Sequence, residues 1–468
     1  MSGSNVNWLP HLENMVPQKA SGNNLSMYSI ALEGWRRGLK LKFFTALHDG
    51  NFEIQFSLEN NNRYHQFEVS KGDKVEEIAV EICKDKFKCK ELLREAGVPV
   101  PTGKCFKITE SDETLISFAN EIGYPVVLKP NDGKLGRNVF TGIKTESELI
   151  RALQILRNQK NLHEIIIEKY IEGDDYRIYV IENRAVAVTR RVPANIVGDG
   201  IHTVEELINM KNENRKKNPN LRTRLIKVDD EVIANLKKNH YSLETIVADG
   251  ERVNLRSKCN ISSGGDPIDC TNSFPEKLKK IAVKAVNTIP GLLQSGVDMI
   301  VDRNNNGYII EMNTRPGIGS HLFPETGNAV DVPKAIIDYY FPETINNERL
   351  NLYFNFNKIH DILRRGLQKE IVIAQVTASN MIKKQYEVYG DVQTGRFHNW
   401  LQKHTLNLKL NGYAKRLKND ATLIVVYGEK ANVEKFSKLI TKSVPQMQNN
   451  HTEQQFDLPL KVGFEIIN

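Results

Sequence analysis

The chain has 468 residues, of which 40% are hydrophobic and 26% are charged, and its net charge is +7. This composition excludes a disordered chain, and no apolar run reaches the roughly 20 residues that a membrane-spanning helix needs. The five cysteines lack Cys-x-x-Cys spacing, and no basic run is interleaved with aromatic residues, so we predict a multidomain cytoplasmic protein with no membrane span and no nucleic-acid partner.

The first 84 residues divide into two predicted parts. Residues 1–23 are polar and lack the basic and apolar regions of an export signal, so we expect a flexible tail. Residues 24–84 predict a small α/β domain, in which a helix beginning at Ser29 ends at Gly38 and an apolar strand follows. This segment says little about function.

A strand and a glycine-containing loop follow in the next part of the chain. The apolar strand 124–130 ends with Lys129, where a cation has little structural purpose. Loop 131–139 comes next, and its glycines, Gly133 and Gly136, permit backbone N–H groups to approach phosphate oxygens. The loop lacks P-loop spacing, so it indicates a phosphate site only in combination with the lysine.

Residues 164–180 predict a hairpin with an acidic turn. An exposed strand edge from Glu168 to Ile171 would offer an adenine ring one backbone donor and one acceptor, and Asp175 would reach the ribose hydroxyls. The alternative is an ordinary hairpin with an acidic tip. Further along, residues 205–247 predict a polar helical insertion, for which a surface position is favoured over contact with substrate.

A second hairpin is predicted between residues 296 and 317, with its turn at 304–307. Asp298 lies on the first strand, and Glu311 and Asn313 share one face of the second. Two carboxylates and an amide oxygen suit Mg²⁺, which takes few carboxylates and leaves room for phosphate oxygens. The alternative is a surface hairpin with ordinary polar residues.

The last part of the chain predicts a separate module. Residues 343–369 are expected to be a linker with one helix. Residues 370–468 predict the order strand, helix, strand, strand, helix, strand, which is typical of a ferredoxin-like α/β sandwich.

These features, in this order, resemble the ATP-grasp superfamily. The features are Asp85-Lys86, the strand ending at Lys129, the glycine-containing loop, the run Glu168–Arg177, and Asp298 with Glu311-x-Asn313. Two further runs, 190–207 and 253–269, make the chain most similar to cyanophycin synthetases and to the ATP-grasp module of bifunctional glutathione synthetases, over roughly residues 80–342. The resemblance implies an ATP-grasp fold, with a pre-ATP-grasp domain at 24–84 and the ATP-grasp domain at 85–342.

The resemblance also implies a role for individual residues, with ATP and two Mg²⁺ ions as cofactors and Mn²⁺ as an alternative ion. The implied nucleotide-binding residues are Lys86, Lys129, Gly133, Gly136, Glu168, Lys169, Ile171 and Asp175. The implied metal ligands are Asp298, Glu311 and Asn313; the implied catalytic residues are Arg256 and Arg315; and the implied receivers of substrate carboxylate or acyl phosphate are Arg177, Arg191 and Arg315. Arg315 is a departure, because cyanophycin synthetases have small residues before this Pro-Gly, and it would alter which acidic substrate fits.

The function expected from this resemblance is ATP-dependent ligation of a carboxylate to an amine through an acyl phosphate. A carboxylate is a poor electrophile, and phosphoryl transfer activates it by positioning and charge neutralisation rather than by a protein nucleophile. The expected substrates are amino acids, peptides or acidic carboxylates, and related synthetases suggest a homo-oligomer. The alternatives are an ATP-grasp phosphotransferase and a nucleotide-binding scaffold.

The C-terminal module resembles acylphosphatases through the run Tyr389–His398. In register, His398 stands where that family has its phosphate-binding arginine, although Arg396 is two residues away, and Arg416 replaces the water-orienting asparagine. We therefore predict a degenerate module that binds an anion without hydrolysing acyl phosphate. The alternative is an enzyme that hydrolyses stray acyl phosphate from the neighbouring domain.

Overall fold

The computed structural model describes residues 6–48, 50–133, 138–376, 380–389, 392, 394–417, 421–443, 447–448 and 460–467. The chain divides into two compact units. Unit 1 comprises Met1–Leu9, Ser21–Ser26 and Phe67–Ile336, and unit 2 comprises Pro10–Ala20, Met27–Gln66 and Ile337–Asn468. Among the described residues, every helix is too short or too polar to cross a bilayer.

The helices and strands of the described residues are numbered in chain order. The α-helices are α1 Asn23–Arg36, α2 Glu77–Lys84, α3 Lys86–Glu95, α4 Asp112–Ile122, α5 Glu146–Arg157, α6 Val204–Lys217, α7 Asp230–Lys238, α8 Glu276–Thr288, α9 Gly319–Leu322, α10 Val332–Tyr340, α11 Phe356–Arg364, α12 Gly395–Asn407 and α13 Lys430–Ser443. Short 3₁₀ helices span Pro10–Leu12, Ile261–Ser263 and Pro342–Thr344. The strands are β1 Val6–Asn7, β2 Lys40–His48, β3 Asn51–Glu59, β4 Tyr64–Glu68, β5 Lys71–Gly72, β6 Gly103–Lys107, β7 Val126–Pro130, β8 Phe140–Ile143, β9 Glu164–Lys169, β10 Asp174–Ile181, β11 Arg184–Val192, β12 Asn195–Val197, β13 Arg252–Asn254, β14 Asp266–Asp269, β15 Gln294–Val301, β16 Gly307–Asn313, β17 Gly327–Asn328, β18 Leu352–Tyr353, β19 Glu370–Ile373, β20 Met381–Val388, β21 Asn411–Arg416, β22 Thr422–Glu429, β23 Met447–Gln448, β24 Leu460–Lys461 and β25 Phe464–Ile467.

The first sheet of unit 1 has four strands in the order β6-β9-β7-β8, with antiparallel neighbours. One face packs with α4 and α5 into a core that contains Leu128, Ile167 and Leu153. Side chains alternate between the faces of a strand, so the neighbouring residues Lys129 and Glu168 lie on the opposite face from this core.

The second sheet of unit 1 has five strands in the order β14-β11-β10-β15-β16, also antiparallel. Helix α8 covers one face, where Leu278 and Ala282 share a core with Ile178 and Val297. The residues between these core positions, including Arg177 and Asp298, point to the other face and are paired in register. The second predicted hairpin is thus formed by β15 and β16.

The insertion forms a small subdomain with a core of its own. Helices α6 and α7 pack with the two-stranded β12–β13 ribbon through residues such as Leu207, Val232 and Val253. Helix α6 begins with a capping box between Thr203 and Glu206, which satisfies backbone groups that a helix start leaves unpaired. These helices and the ribbon are a folded part of unit 1.

The first sheet of unit 2 contains β19, β2, β3 and the start of β4. Its aromatic core includes Trp35, Phe43 and Phe354, whose rings meet edge to face at 5.6–5.7 Å. Strand β19 pairs with β2 here, although we expected residue 370 to open the C-terminal module. The expected flexible tail also differs from the structure, because Leu12 and Ala20 are buried.

The second sheet of unit 2 has the order β23-β20-β22-β21-β25. Helices α12 and α13 supply Leu401 and Phe436 to a core shared with Tyr386 and Val426. Four strands of this sheet, β20 to β23, and the helices α12 and α13 follow one another in the order of the predicted ferredoxin-like plan.

Candidate active site

Two lysines share one buried carboxylate on the open face of the first sheet. Lys129 Nζ and Lys90 Nζ each form an ion pair with one oxygen of Glu168, and the three side chains are 4–7% exposed. Burial lowers the pKa of Lys90 to about 7, because the charged amine is removed from water and Lys129 adds repulsion that Glu168 only partly offsets. Two lysines thus share a single carboxylate, and the phosphate-binding role of Lys129 stays a prediction.

Lys86 connects helix α3 with the glycine-containing loop. Its Nζ donates a hydrogen bond to the Gly133 carbonyl, and burial lowers its pKa while the charge of Glu311 raises it. Asn131, at the start of the loop, accepts from Phe87 N at 3.0 Å and so ties the loop to α3. The structure thus brings Lys86, Lys129 and Glu311 together, whereas Gly136 lies outside the described residues.

The backbone around Lys169 is more enclosed than expected. Strand β9 is central in its sheet rather than exposed at an edge, because its run of isoleucines is buried on both faces. Lys169 N donates to Thr102 O at 2.8 Å and Tyr170 N donates to Pro125 O at 3.1 Å. Within residues 138–376, the Ile171 N–H takes no part in these backbone bonds, and the contact of Glu168 and Ile171 with adenine stays a prediction.

Two arginines and two carboxylates form a cluster on the open face of the second sheet. Arg177 binds both oxygens of Asp298, with Nη2–Oδ2 at 3.0 Å. Arg191 bridges Asp175, at 2.7 Å, and Asp298, at 3.3 Å. Burial would raise the pKa of Asp298, but the two guanidinium groups outweigh it and lower that pKa. Asp298 is therefore an ionised carboxylate whose charge is neutralised by arginines.

Glu311 lies directly opposite Asp298 in the β15–β16 pair, so the two carboxylates share one face. Asn313 lies two residues further, and its Oδ1 accepts a hydrogen bond from Arg315 N at 2.8 Å. Glu311 is exposed whereas Asp298 is buried. An all-oxygen donor set with one open side fits Mg²⁺, and the metal role of these three residues stays a prediction.

Arg256 is held by the insertion. Its guanidinium pairs with Glu231 and with Asp229, at 2.5 Å to the latter, and donates to Lys227 O at 3.3 Å. Arg256 is 7% exposed, so these contacts fix its orientation. The structure therefore places Arg256 with the start of α7 rather than in the cluster around Asp298, and its catalytic role stays a prediction.

Two residues without a predicted role, Lys90 and Glu68, contact predicted site residues. Lys90 follows Lys86 by four positions in α3, and that spacing places both on one helix face; this signal was available from the sequence. Glu68 forms an ion pair with Arg315, and a separation of 247 positions gave no signal for it.

The predicted anion-binding residues of the C-terminal module lie on two elements. Arg396 and His398 are in the first turn of α12, which Thr394 caps, and Arg416 ends β21. Gly390, Asp391 and Gln393 of the resembling run lie outside the described residues. Loss of hydrolysis therefore stays a prediction.

The Glu168 cluster predicts an acid sensitivity of the fold. Burial alone would raise the Glu168 pKa, but Lys129 and Lys90 hold it at about 2, below its ordinary value of 4.5. Between these pH values the unfolded chain binds a proton that the folded chain does not, so stability falls as the pH falls through this window. We expect Glu168→Gln to remove roughly 3 kcal/mol of this pH dependence, measured by native-state hydrogen exchange of β9 across the window. Glu172→Gln, at a 70% exposed position, is the control. If stability depended on pH equally in wild type and in Glu168→Gln, the ion pairs of Glu168 with Lys129 and Lys90 would not be the cause of the acid sensitivity.

Family models match two regions of the chain. The RimK-like ATP-grasp domain model matches residues 83–200 and 199–339, and the acylphosphatase model matches residues 384–466. The expected combination of an ATP-grasp fold with an acylphosphatase-like C-terminal domain is confirmed by these matches.

The chain is also similar to proteins of known name. A cyanophycin synthetase of Crocosphaera subtropica is 37% identical over 275 residues, which are 57% of this chain and 31% of the relative. The glutathione biosynthesis bifunctional protein GshAB of Clostridium perfringens is 31% identical over 329 residues, which are 68% of this chain and 41% of the relative. The crystal structure of a bifunctional glutathione synthetase from Pasteurella multocida matches with a TM-score of 0.49 and 28% identity, over 64% of this chain and 42% of that chain.

The matches cover different shares of this chain and of its relatives. The chain spans 31% and 41% of the two relatives' lengths. The activities of those relatives are therefore activities of longer proteins, and this chain is similar to only a part of each. The RimK-like model, in contrast, matches more than half of this chain and includes both open sheet faces with their charged clusters. The chain therefore belongs to the RimK-like ATP-grasp domain family.

Proposed function

We propose that the chain is an ATP-dependent ligase that joins a carboxylate to an amine through an acyl phosphate and releases ADP. The observation that supports it most is the β15–β16 pair, in which Asp298 and Glu311 lie opposite each other beside Arg177 and Arg191. A site that moves a phosphoryl group to a carboxylate has to neutralise several negative charges at once. This arrangement provides cations, and ligands for cations, on one face.

The nucleotide would be held by the first sheet and by the neighbouring end of the second. Lys86 and Lys129 would bind phosphate oxygens, and the loop beginning at Asn131 would cover them. Glu168 and the Ile171 N–H would contact adenine, with Lys169 beside them, and Asp175 would contact the ribose. Because the Glu168 carboxylate already pairs with Lys129 and Lys90, these lysines are fixed before nucleotide binds, which reduces the entropy lost on binding.

The metal ligands would be Asp298, Glu311 and Asn313. Bound Mg²⁺, as two ions, would neutralise phosphate charge as a Lewis acid. In the structure both oxygens of Asp298 are occupied by arginines. Arg177 and Arg191 would be held less tightly by Asp298 when that carboxylate also serves as a metal ligand, and their guanidinium groups would then be available to the anionic acyl phosphate. The cluster would thereby couple nucleotide binding to substrate binding.

The substrate class is suggested by the same groups. Arg177, Arg191 and Arg315 would receive carboxylates, as in an acidic amino acid or a peptide. Arg256 would reach the transferring phosphoryl group if the start of α7 moves with it. The relatives are named as synthetases of cyanophycin and of glutathione, which favours amino-acid or peptide substrates.

The deciding experiment measures Mg²⁺-dependent ATP turnover with pools of amino acids and dipeptides, and separates ADP from AMP. We expect release of ADP and phosphate that requires both a carboxylate and an amine. Release of AMP would refute the acyl-phosphate route. ADP formation without an amine would favour a phosphotransferase, and ATP binding without turnover in any pool would favour a nucleotide-binding scaffold.

A further inference from the structure

A strained turn lies next to the predicted substrate arginine. Strands β4 and β5 form a tight hairpin in which Glu68 pairs with Lys71, and Val69 occupies its first turn position with φ +59°. A β-branched residue avoids this left-handed region because its side chain crowds the backbone. Such strain persists only where surrounding contacts enforce it, and it is concentrated at functional sites.

The turn presents Glu68 to Arg315. Arg315 Nη1 forms an ion pair with Glu68 Oε1, and the two side chains are 24% and 8% exposed. The other carboxylate oxygen lies 3.4 Å from Lys71 Nζ, which is 13% exposed. Glu68 is therefore a nearly buried carboxylate between two cations, whereas Arg315 keeps about a quarter of its side-chain surface open to solvent.

Hydrogen bonds fasten the same turn to the residue after Arg315. Ser70 is fully buried, and its Oγ donates to the Pro316 carbonyl at 2.6 Å. Gln294 Nε2 donates to the Ser70 carbonyl at 2.5 Å, which anchors the turn to the start of β15. The Arg315 segment is thus held by its neighbour's backbone as well as by its own side chain.

This clamp lies beside the charged cluster of the candidate active site. A Cβ added to Gly296 would lie 2.5 Å from Pro316 Cβ and 3.1 Å from Arg177 Cδ. Only glycine therefore lets the Arg315-Pro316 segment pack this closely over β15. The two arginines that would receive carboxylates, Arg177 and Arg315, are brought to one region by this contact.

We propose that Glu68 is a positioning residue that orients the Arg315 guanidinium to receive a carboxylate of the acidic substrate. The identity of the substrate and the reaction rests on the proposed ligase function. The contacts between Glu68 and Arg315 do not depend on that function. A nearly buried carboxylate restrains the direction of a planar guanidinium, and the 24% of the Arg315 side chain that is exposed is where a planar anion would reach it. A group that is held in place before binding gives more affinity, because less side-chain freedom is lost.

The first test measures how fast phenylglyoxal modifies individual arginines in the full chain, followed by mass spectrometry. Glu68→Gln should raise the modification rate of Arg315 by about tenfold, the effect expected when a partly buried ion pair loses one of its charges. Glu172→Gln is the matched control, because Glu172 pairs with Arg303 at 2.8 Å on the surface; it should leave Arg315 unchanged. An unchanged rate for Arg315 in Glu68→Gln would overturn the proposal.

The second test uses the wild-type chain and does not depend on the folding of a variant. With Mg²⁺ and a non-hydrolysable ATP analogue present, L-glutamate should protect Arg315 from phenylglyoxal, and L-glutamine, which lacks the side-chain carboxylate, should protect it much less. Equal protection, or none, would overturn the carboxylate-receiving role. Protection of Arg315 in a chain that turns over no substrate would refute the proposed ligase function, but it would still support an anion-binding role for Arg315.

The third test separates positioning from general damage once a substrate is in hand. Glu68→Gln should raise the KM for the acidic substrate by about tenfold, leave the KM for ATP unchanged, and be partly rescued by Glu68→Asp. Equal losses toward both substrates, without rescue, would assign Glu68 a structural role only.

Discussion

Replacing Glu311 by alanine is expected to reduce Mg²⁺-dependent ATP turnover by at least about 100- to 1,000-fold, the range seen when one group that stabilises developing charge is removed. Glu311 is the exposed member of the Asp298–Glu311 pair, so its loss leaves little packing to repair. The free energy of unfolding should therefore change by no more than about 0.5 kcal/mol. The measurement is the rate of ADP release at increasing Mg²⁺ concentration, together with native-state hydrogen exchange of β16.

A matched carboxylate tests whether the effect belongs to the site. Glu276, at the start of α8, is 70% exposed and 3.8 Å from Lys279, and Glu276→Gln should leave turnover unchanged. Near-normal turnover by Glu311→Ala would show that the metal assignment is wrong. Asp298→Asn should differ from both, because it also leaves Arg177 and Arg191 without their shared partner and so reduces stability as well as activity.

The sequence was sufficient for features that depend on local pattern. Alternation of side chains predicted that Glu311 and Asn313 share a face, and the polar turn predicted that β15 and β16 pair. The order of motifs predicted both family matches. These inferences use neighbours in the chain, or motifs that a family shares, and need no knowledge of the tertiary structure.

Features that depend on sheet order could not be obtained in this way. An isoleucine run fits an edge strand of a packed sheet as well as a central one, so the position of β9 between β6 and β7 was not predictable. The same holds for β19, whose four residues pair with β2, more than 300 positions earlier in the chain. Glu68 and Arg315 likewise form an ion pair although 247 positions separate them in the chain.

Partners within the site were also hidden by the ambiguity of charged residues. Arg191 was predicted to receive substrate, and in the structure it pairs with Asp175 and Asp298. The sequence does not distinguish an arginine that is solvated from one that binds substrate or one that forms an ion pair. Burial and contact distance distinguish them, and both require coordinates.

Replacing Asp266 by alanine is expected to loosen the insertion by about 3–5 kcal/mol, the penalty for leaving a buried charge without its partner. Asp266 is 5% exposed and accepts from Arg215 at 2.8 Å, from Lys211 at 2.6 Å and from Asn195 at 2.8 Å. Arg215 is fully buried, so it has no access to water when the carboxylate is removed. Because the chain has two compact units, the suitable measurement is native-state hydrogen exchange of α6 rather than one global unfolding curve.

The control is a second ion pair on the same helix. Lys216 and Glu213 are paired at 2.5 Å but are 53% and 66% exposed, so Lys216→Gln should change the exchange of α6 by less than about 0.5 kcal/mol. Asp266→Leu combined with Arg215→Met should recover part of the loss, since an apolar pair leaves no unpaired charge. Similar protection of α6 in wild type and Asp266→Ala would mean that this ion network does not hold the insertion in place.

The Asp266 variant also tests whether the insertion matters for catalysis. The guanidinium of Arg256 is held by Asp229 and Glu231 at the start of α7, and α7 shares the small core of the insertion with α6. Loosening that core should therefore release Arg256 from its fixed orientation. If Arg256 contacts the transferring phosphoryl group, Asp266→Ala should lower kcat while the KM for ATP stays the same, because the residues predicted to bind the nucleotide, Lys129 and Glu168, belong to a different sheet. If Asp266→Ala speeds the amide hydrogen exchange of α6 but leaves kcat unchanged, the insertion has a role outside the chemical step.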